Sequence, residues 1–315
     1  MVTFDTVSHE GLMPDQGGDP VAFFGSYGIP REEVLADAIE IAAAGLAHDP
    51  SKDGPHIVTG PVAVAGARAG EVLRLEMVHL ERRARYGVIS NRHGRGVLAG
   101  VLPRPDATGA APEVVSHLAT VEDDGEGCVR DGKGRALRFP IGPFLGLAGV
   151  APASDEELNS RPPGPHGGNL DIRHLREASS LMLPIQADGA LVYVGDPHFS
   201  QGNGEVALTA FEAPLRATVR VSVERSATAR FLAKAMGGPW AETPSHFIAI
   251  GLGDSLDCAM RQAVANALSM VTWISGTSER TALSYLSAAA DFEISQAVNG
   301  TKGVHAMIRK ADLGQ

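Results

Sequence analysis

The chain has 315 residues, of which 44% are hydrophobic and 20% charged, and a formal net charge of −10. This is the make-up of a folded globular protein with room for one large domain or two ordinary ones. The acidic balance excludes a nucleic-acid binder, the lack of any apolar run near about 18 residues excludes a membrane partner held by a helical span, and two cysteines are too few for a disulfide framework.

The N-terminus, MVTFDTVSHEGLMPDQGGD, has no basic segment followed by an apolar one. No leader is expected, and with Cys128 and Cys258 reduced the expected location is the cytoplasm. PREEVLADAIEIAAAGLAH, from Pro30, sets Val34, Ala38, Ile41 and Leu46 roughly on one face and predicts a helix. The long middle changes character. Short apolar runs lie between glycines and prolines, and in EVLRLEMVHL the residues Leu73, Leu75 and Met77 alternate with Arg74 and Glu76. Further strand-like runs fall near 97–102, 114–121, 181–187 and 190–195. LRATVRVSVE alternates best, with Leu215, Ala217, Val219, Val221 and Val223 on one face of a half-buried antiparallel strand. GALVYVGD reads as a strand ending at Asp196, EVALTAFE as one starting at Glu205, and FIAIGL as another. In the last quarter Ser255 caps a helix carrying Leu256, Met260, Val264, Ala267, Val271 and Ile274. Gly276 ends it, Ser278 opens a second helix, and VHAMI is a final β segment. Trp240 and Trp273 read as core. The expected class is α+β and β-rich, with a β-rich domain over 1–225 carrying most of the site and an α/β part over 226–315 with two C-terminal helices packed on it.

Two short stretches concentrate chemistry. PHGGNLD gathers His166, Asn169 and Asp171 around Gly167 and Gly168, which let the backbone approach a ligand closely. A plain turn, with Asn and Asp bonding their own backbone, also accounts for it. GDPHFSQGNGE repeats the pattern with Asp196, His198, Gln201 and Glu205. Asp196 and His198, two residues apart, face the same way on an extended chain and suit two metal ligands. Imidazole with carboxylate favours zinc or another borderline cation, and carboxylates with carbonyls favour calcium. ETPSH offers Glu242 and His246 as a third candidate, with a solvated Glu and a partly buried His as the plainer account. His305 reads as a satisfied core histidine, and His93, in the basic turn NRHGRG, as a surface residue or anion contact. The acidic, proline-rich segment 151–165 is a linker or a lid. No G-x-S-x-G elbow, P-loop or G-x-G-x-x-G is present.

Nearly the whole chain after about residue 30 resembles the acetamidase/formamidase family. The resemblance is carried by GPHIVTGPVAVAGARAGEVLRLEM, FPIGPFLGLAGVAP, HGGNLD, GALVYVGDPHFSQGNGEVALTAFE, ETPSHFIAIGL and ISQAVNGTKGVHAMI, in that order. It implies a cytosolic amidohydrolase that cleaves small carboxamides to ammonia and a carboxylate, jelly-roll-like antiparallel sheets with a smaller α/β part, and a homodimer or larger homo-oligomer. Carried over by motif, the expected metal ligands are Asp171, Asp196 and His198. The expected catalytic residues are Glu205 as base, Asn169 at the oxyanion, and His166. Gln201 and His246 are expected to contact substrate. The chain departs from the pattern at Pro197, where an apolar residue such as leucine is usual, and at Asn203, where an aspartate is usual. A divalent metal ion is the expected cofactor, with zinc favoured over calcium. The same residues leave other functions open. One is hydrolysis of a larger amide, lactam or imide-like compound. Another is a non-catalytic metal-binding β protein. A third is a jelly-roll oxygenase using His166, His198 and Asp196 around iron.

Overall fold

The computed structural model describes residues 1–49, 52–105 and 108–315. Two antiparallel sheets face one another. The first has eight strands in the order Val2–Asp5, Leu215–Glu224, Val72–Arg82, Ser180–Pro184, Trp240–Glu242, His246–Gly253, Lys302–Arg309 and Asp291–Gln296. The second runs Ala136–Phe139, Gly127–Arg130, Val114–Val121, Tyr86–Arg92, Phe211–Glu212, Val192–Ser200, Phe144–Gly149 and Gly167–Asn169, and Val58–Val62 also pairs with Val192–Ser200.

The strand patterns explain the layering. Leu73, Leu75 and Met77 of the first sheet meet Leu145, Val194 and Phe199 of the second in one continuous buried core. Farther along the first sheet, both faces are covered. Leu181 and Leu183 enter the inter-sheet core, whereas Met182 between them packs with Leu232, Met270 and Leu286 of the helices. A strand buried on both faces reads as a continuous apolar run, which is what SLMLP is. The helices Ala227–Met236, Leu256–Ser275 and Glu279–Ala289 form this outer layer. Each starts at a serine whose hydroxyl accepts a backbone N–H, from Ala229, Cys258 and Thr281 respectively. The first two end on left-handed glycines, Gly237 and Gly276. The eight-stranded sheet takes strands from both sides of residue 225, so the segments 1–225 and 226–315 are joined by a continuous hydrogen-bonded ladder.

Several local expectations are corrected. The helix from Pro30 is broken into a 3₁₀ turn, Arg31–Glu33, and an α-helix, Ala36–Ala44. Val34 between them is extended because it is buried against Phe24 and Tyr86, and the Tyr86 hydroxyl donates to the Glu33 carbonyl. Residues 97–102 form turns, with Val97 and Leu98 half exposed. The strand expected to end at Asp196 continues to Ser200, while the strand expected from Glu205 is reduced to Phe211–Glu212. Trp273 is exposed and stacks on Phe231 at the surface, with ring centroids 4.0 Å apart. No helix among the described residues is long and apolar enough to cross a membrane.

The inter-sheet core sets the stability scale. Leu181→Ala, at a fully buried site touching both sheets, is expected to cost about 2–5 kcal/mol, read as a lowered midpoint in urea with an unchanged m-value.

Candidate metal centre and active site

The second sheet gathers the site. Asp196 and His198 lie on Val192–Ser200, and Glu212 is the register partner of His198 on the adjoining strand. Asp171 follows the short strand Gly167–Asn169, and its N–H bonds the Gly146 carbonyl at 3.1 Å. Glu205 enters from the irregular segment between Ser200 and Phe211. Three of these carboxylates, Asp171, Asp196 and Glu205, have φ of 51°, 51° and 47°. Left-handed backbone costs a non-glycine residue about 1–2 kcal/mol, and such strain persists where a site needs a side chain aimed against the regular pattern. Sequence reasoning, which took the chain as extended from Asp196 to His198, has no access to it.

The atoms converge closely. His198 Nε2 lies 2.9 Å from Glu212 Oε1 and 3.3 Å from Asp196 Oδ2, and its Nδ1 is 4.0 Å from Asp171 Oδ1. None of these approaches has hydrogen-bond geometry at the imidazole. Two groups, Asp171–His198–Glu205 and Asp196–His198–Glu212, each bring three potential ligand atoms within 4.8 Å of one another. Residues that sequence reasoning missed complete the wall. His56 Nε2 is 3.6 Å and His9 Nδ1 4.0 Å from Asp196 Oδ1, which makes a third such group. Asn299 donates to Asp171 Oδ2 at 2.6 Å. The available signals were the His-Glu pair in SHEG, the histidine in GPHIVTG and the lone glutamate in the apolar run TAFE.

Gly146 makes room for this convergence. A Cβ there would stand 2.5 Å from Asp171 Oδ1 and 2.6 Å from Asp196 Oδ2.

The electrostatics point to a missing positive charge. Glu10, Asp171, Asp196, Glu205 and Glu212 are all buried. Burial, followed by the Asp196 charge, raises the Asp171 carboxyl well above its usual range, and burial, followed by Asp171, does the same to Glu205. Burial opposes charge on His198 too, but Glu212 and Asp196 raise it well above the ordinary imidazole value. Burial pushes His56 down to about 4, so its ring is neutral near pH 7 and keeps a lone pair for a ligand. Asp171 Oδ1, Asp196 Oδ1, Glu205 Oε2, Glu212 Oε2 and both nitrogens of His198 are buried without a hydrogen-bond partner. Each orphaned polar atom costs about 1–3 kcal/mol. A divalent cation held by these carboxylates and one ring nitrogen of His198 would satisfy several of them together, and the mixture of imidazole and carboxylate fits zinc.

The expected site residues separate into three groups. Asp171, Asp196, His198 and Glu205 come together. Asn169 lines the same cavity, a space of about 30 Å³, with its Oδ1 unpartnered. Gln201 supports the centre from behind, donating to the carbonyls of Asp171 at 2.9 Å and Ser295 at 3.1 Å. His166 and His246 lie elsewhere. His166 sits in the turn before Gly167–Asn169 and lines a hollow with Tyr193 and Leu158. His246 begins a strand of the other sheet, hydrogen-bonds Ser245, and lines a separate hollow with His174 and Glu293. Asn203 donates to Glu293 at 2.6 Å, away from the cavity. His305 is fully buried, its Nδ1 is 2.7 Å from Ser295 Oγ, and its Nε2 lies 3.5 Å from Glu293 Oε2.

Residues 154–307 match the sequence profile described as the Acetamidase/Formamidase family. The chain resembles a crystal structure of an acetamidase from Bacillus halodurans, with a TM-score of 0.70 and 31% identity, over 82% of this chain and 79% of that one. An acetamidase of Mycolicibacterium smegmatis is 23% identical over 199 residues, 48% of this chain and 49% of the relative. A formamidase of Methylophilus methylotrophus is 41% identical over 54 residues, 17% of this chain and 13% of the relative. The matches thus span about half the length, or less, of these curated relatives.

Two outcomes are expected from the geometry. Gly146→Ala lowers Zn²⁺ affinity by about ten- to a hundredfold, measured by titration, while the far-ultraviolet circular dichroism stays that of the parent. The second concerns pH. Burial raises the Glu10 carboxyl, but the His9 and Arg92 charges and the Ser90 hydroxyl outweigh it and hold Glu10 at about 2, against an ordinary 4.5. A depressed carboxylate stabilises the fold fully above its unfolded pKa, and that contribution is lost as pH falls from 4.5 towards 2. Melting temperature measured across this window is expected to fall less steeply in Glu10→Gln than in the parent.

Proposed function

We propose that this chain, which belongs to the acetamidase/formamidase family, is an amidohydrolase that adds water to a small carboxamide and releases a carboxylate and ammonia. The observation that carries this reading is the set of buried, unpartnered ligand atoms on Asp171, Asp196, His198 and Glu212, of which Asp196 and Glu212 line a cavity together with Glu205 and Asn169. Asp171, Asp196 and His198 are assigned as holding a divalent ion, zinc by its donor set, whose chemistry when bound is Lewis acidity toward an amide carbonyl and toward water.

The remaining work falls to the chain's own groups. Glu205 is the base. Its Oε2 has no partner, and burial and the neighbouring Asp171 charge raise its affinity for a proton. It therefore takes a proton from the attacking water and holds it long enough to deliver it to the leaving nitrogen. Asn169 lines the cavity with its amide, a donor for the oxygen that gains negative charge as the carbonyl becomes tetrahedral. Asn299 and Gln201 fix Asp171 from its far side and its backbone, so the carboxylate does not turn away. The free cysteines, Cys128 buried and Cys258 exposed, fit a reducing cytoplasm.

Ammonia release from formamide and acetamide tests the assignment, with metal content followed by elemental analysis. A chelator is expected to abolish release and Zn²⁺ to restore it. Glu205→Gln is expected to lower kcat by about 10²–10⁴-fold. Full activity in that variant removes Glu205 as the base, and full activity after exhaustive chelation removes the ion.

A further inference from the structure

We infer that the cavity accepts an amide that itself carries a carboxylate, such as the monoamide of a short dicarboxylic acid, and that Arg161 and Arg95 bind that carboxylate. This substrate class presupposes the amidohydrolase reading above.

Three guanidinium groups line the cavity, those of Arg92, Arg95 and Arg161. Arg92 is already matched. Its Nε is 2.6 Å from Asp15 and its Nη1 is 3.1 Å from Glu10. Arg95 and Arg161 differ, because neither has a carboxylate within 4.0 Å among the described residues. Arg161 Nε is buried and lacks any hydrogen-bond partner. Burial, and then the Arg95 charge, lower the Arg161 pKa. Two like charges facing one cavity, one with an unsatisfied buried donor, are stabilised by an anion that accepts from both. A carboxylate matches a guanidinium in shape and can accept two of its N–H groups.

Arg161 is also held in position. Its N–H bonds Asn159 Oδ1 at 2.9 Å, and the Asn159 amide donates to the Lys52 carbonyl at 2.8 Å. The neighbouring Ser160 hydroxyl lies 2.8 Å from His56 Nδ1. That contact requires glycine at position 54, since a Cβ there would fall on the Ser160 hydroxyl. The histidine facing Asp196 is therefore tied to the segment that carries Arg161.

Charge is graded along the cavity. Asp196, Glu205 and Glu212 line it as buried carboxylates, whereas Arg95 is exposed. A substrate bound with its amide at the buried end leaves its carboxylate for the arginines. The chemistry remains hydrolysis. Water adds to the amide carbon and the C–N bond breaks, its electron pair leaving with nitrogen. The nitrogen takes a proton through Glu205 and departs as ammonia, and the product is a dicarboxylate.

Succinamate and butyramide, which differ in a carboxylate against a methyl group, provide the test in the metal-loaded full chain. Ammonia release gives kcat/KM for each. Calorimetry gives dissociation constants for succinate and butyrate, the corresponding products, which contain no scissile bond. The parent is expected to favour succinamate over butyramide, and succinate over butyrate, by about ten- to a hundredfold. Both ratios should narrow at high salt and collapse toward one in Arg161→Gln and in Arg95→Gln, the latter at an exposed position where folding is not at stake. Equal treatment of the two pairs by the parent, or ratios unchanged in both variants, overturns the carboxylate site even if both amides are hydrolysed. Arginine-dependent preference for succinate with no ammonia from either amide supports the carboxylate site and overturns the amidohydrolase reading instead.

Discussion

Five carboxylates, three imidazoles and the Arg92 guanidinium share one buried region, and their charges must balance for the fold to close. Carboxylates taken out of water together repel one another, and each loses its hydration as well. Glu10 is matched locally by Arg92 and Ser90. Asp171, Glu205 and Glu212 share only the His198 ring and pair with no lysine or arginine among the described residues, and their carboxyl groups bind protons more tightly than usual. A metal ion bound at these oxygens would compete with protons for them, because metal ligands must be ionised to bind. The left-handed backbone at Asp171, Asp196 and Glu205 belongs to this balance: the strain is tolerable where the side chains it aims are held by a strong common partner.

The scaffold supplies this arrangement from distant parts of the chain. His9 follows the first strand, His56 precedes the strand Val58–Val62, Glu212 comes from a two-residue strand, and Asn299 comes from the turn before the last one. No single supersecondary unit contains the centre. It forms only when the second sheet is assembled and the last hairpin of the first sheet has closed against it, which the bridge between Gly204 and Gln296 records. The two sheets thus act as one site-forming body, with the three C-terminal helices packed on the outer face of the first.

Legibility in the sequence followed the range of the physics involved. Elements governed by local chemistry read well. Ser255 and Gly276 bound the long helix, and LRATVRVSVE is a strand over the whole quoted stretch. Elements governed by tertiary contact read poorly. Val34 is drawn into a small core and breaks a promising helical pattern. Val97 and Leu98 look like strand residues but form turns. At the candidate site, dense glycine-spaced motifs pointed to Asp171, Asp196, His198 and Glu205, which the fold brings together, because close backbone approach leaves a compositional trace. His9, His56, Glu212 and Asn299 are single residues in ordinary contexts, and only the folding of the chain brings them to the others. His246 stood in a suggestive motif, yet its strand belongs to the other sheet.

The edge strand Val2–Asp5 has a role beyond adding hydrogen bonds. It pairs with Leu215–Glu224 so that Phe4 stands opposite Ala217 and turns into the core, and the Thr6 hydroxyl then bonds the Leu215 carbonyl at 2.8 Å. His9 and Glu10 follow within a few residues. Side chains alternate along a strand, so a slip of one position would turn Phe4 to solvent and carry the histidine out of reach of Asp196. The outermost ladder of the sandwich is in this sense a ruler, and the length it measures is the distance from the sheet margin to the candidate site.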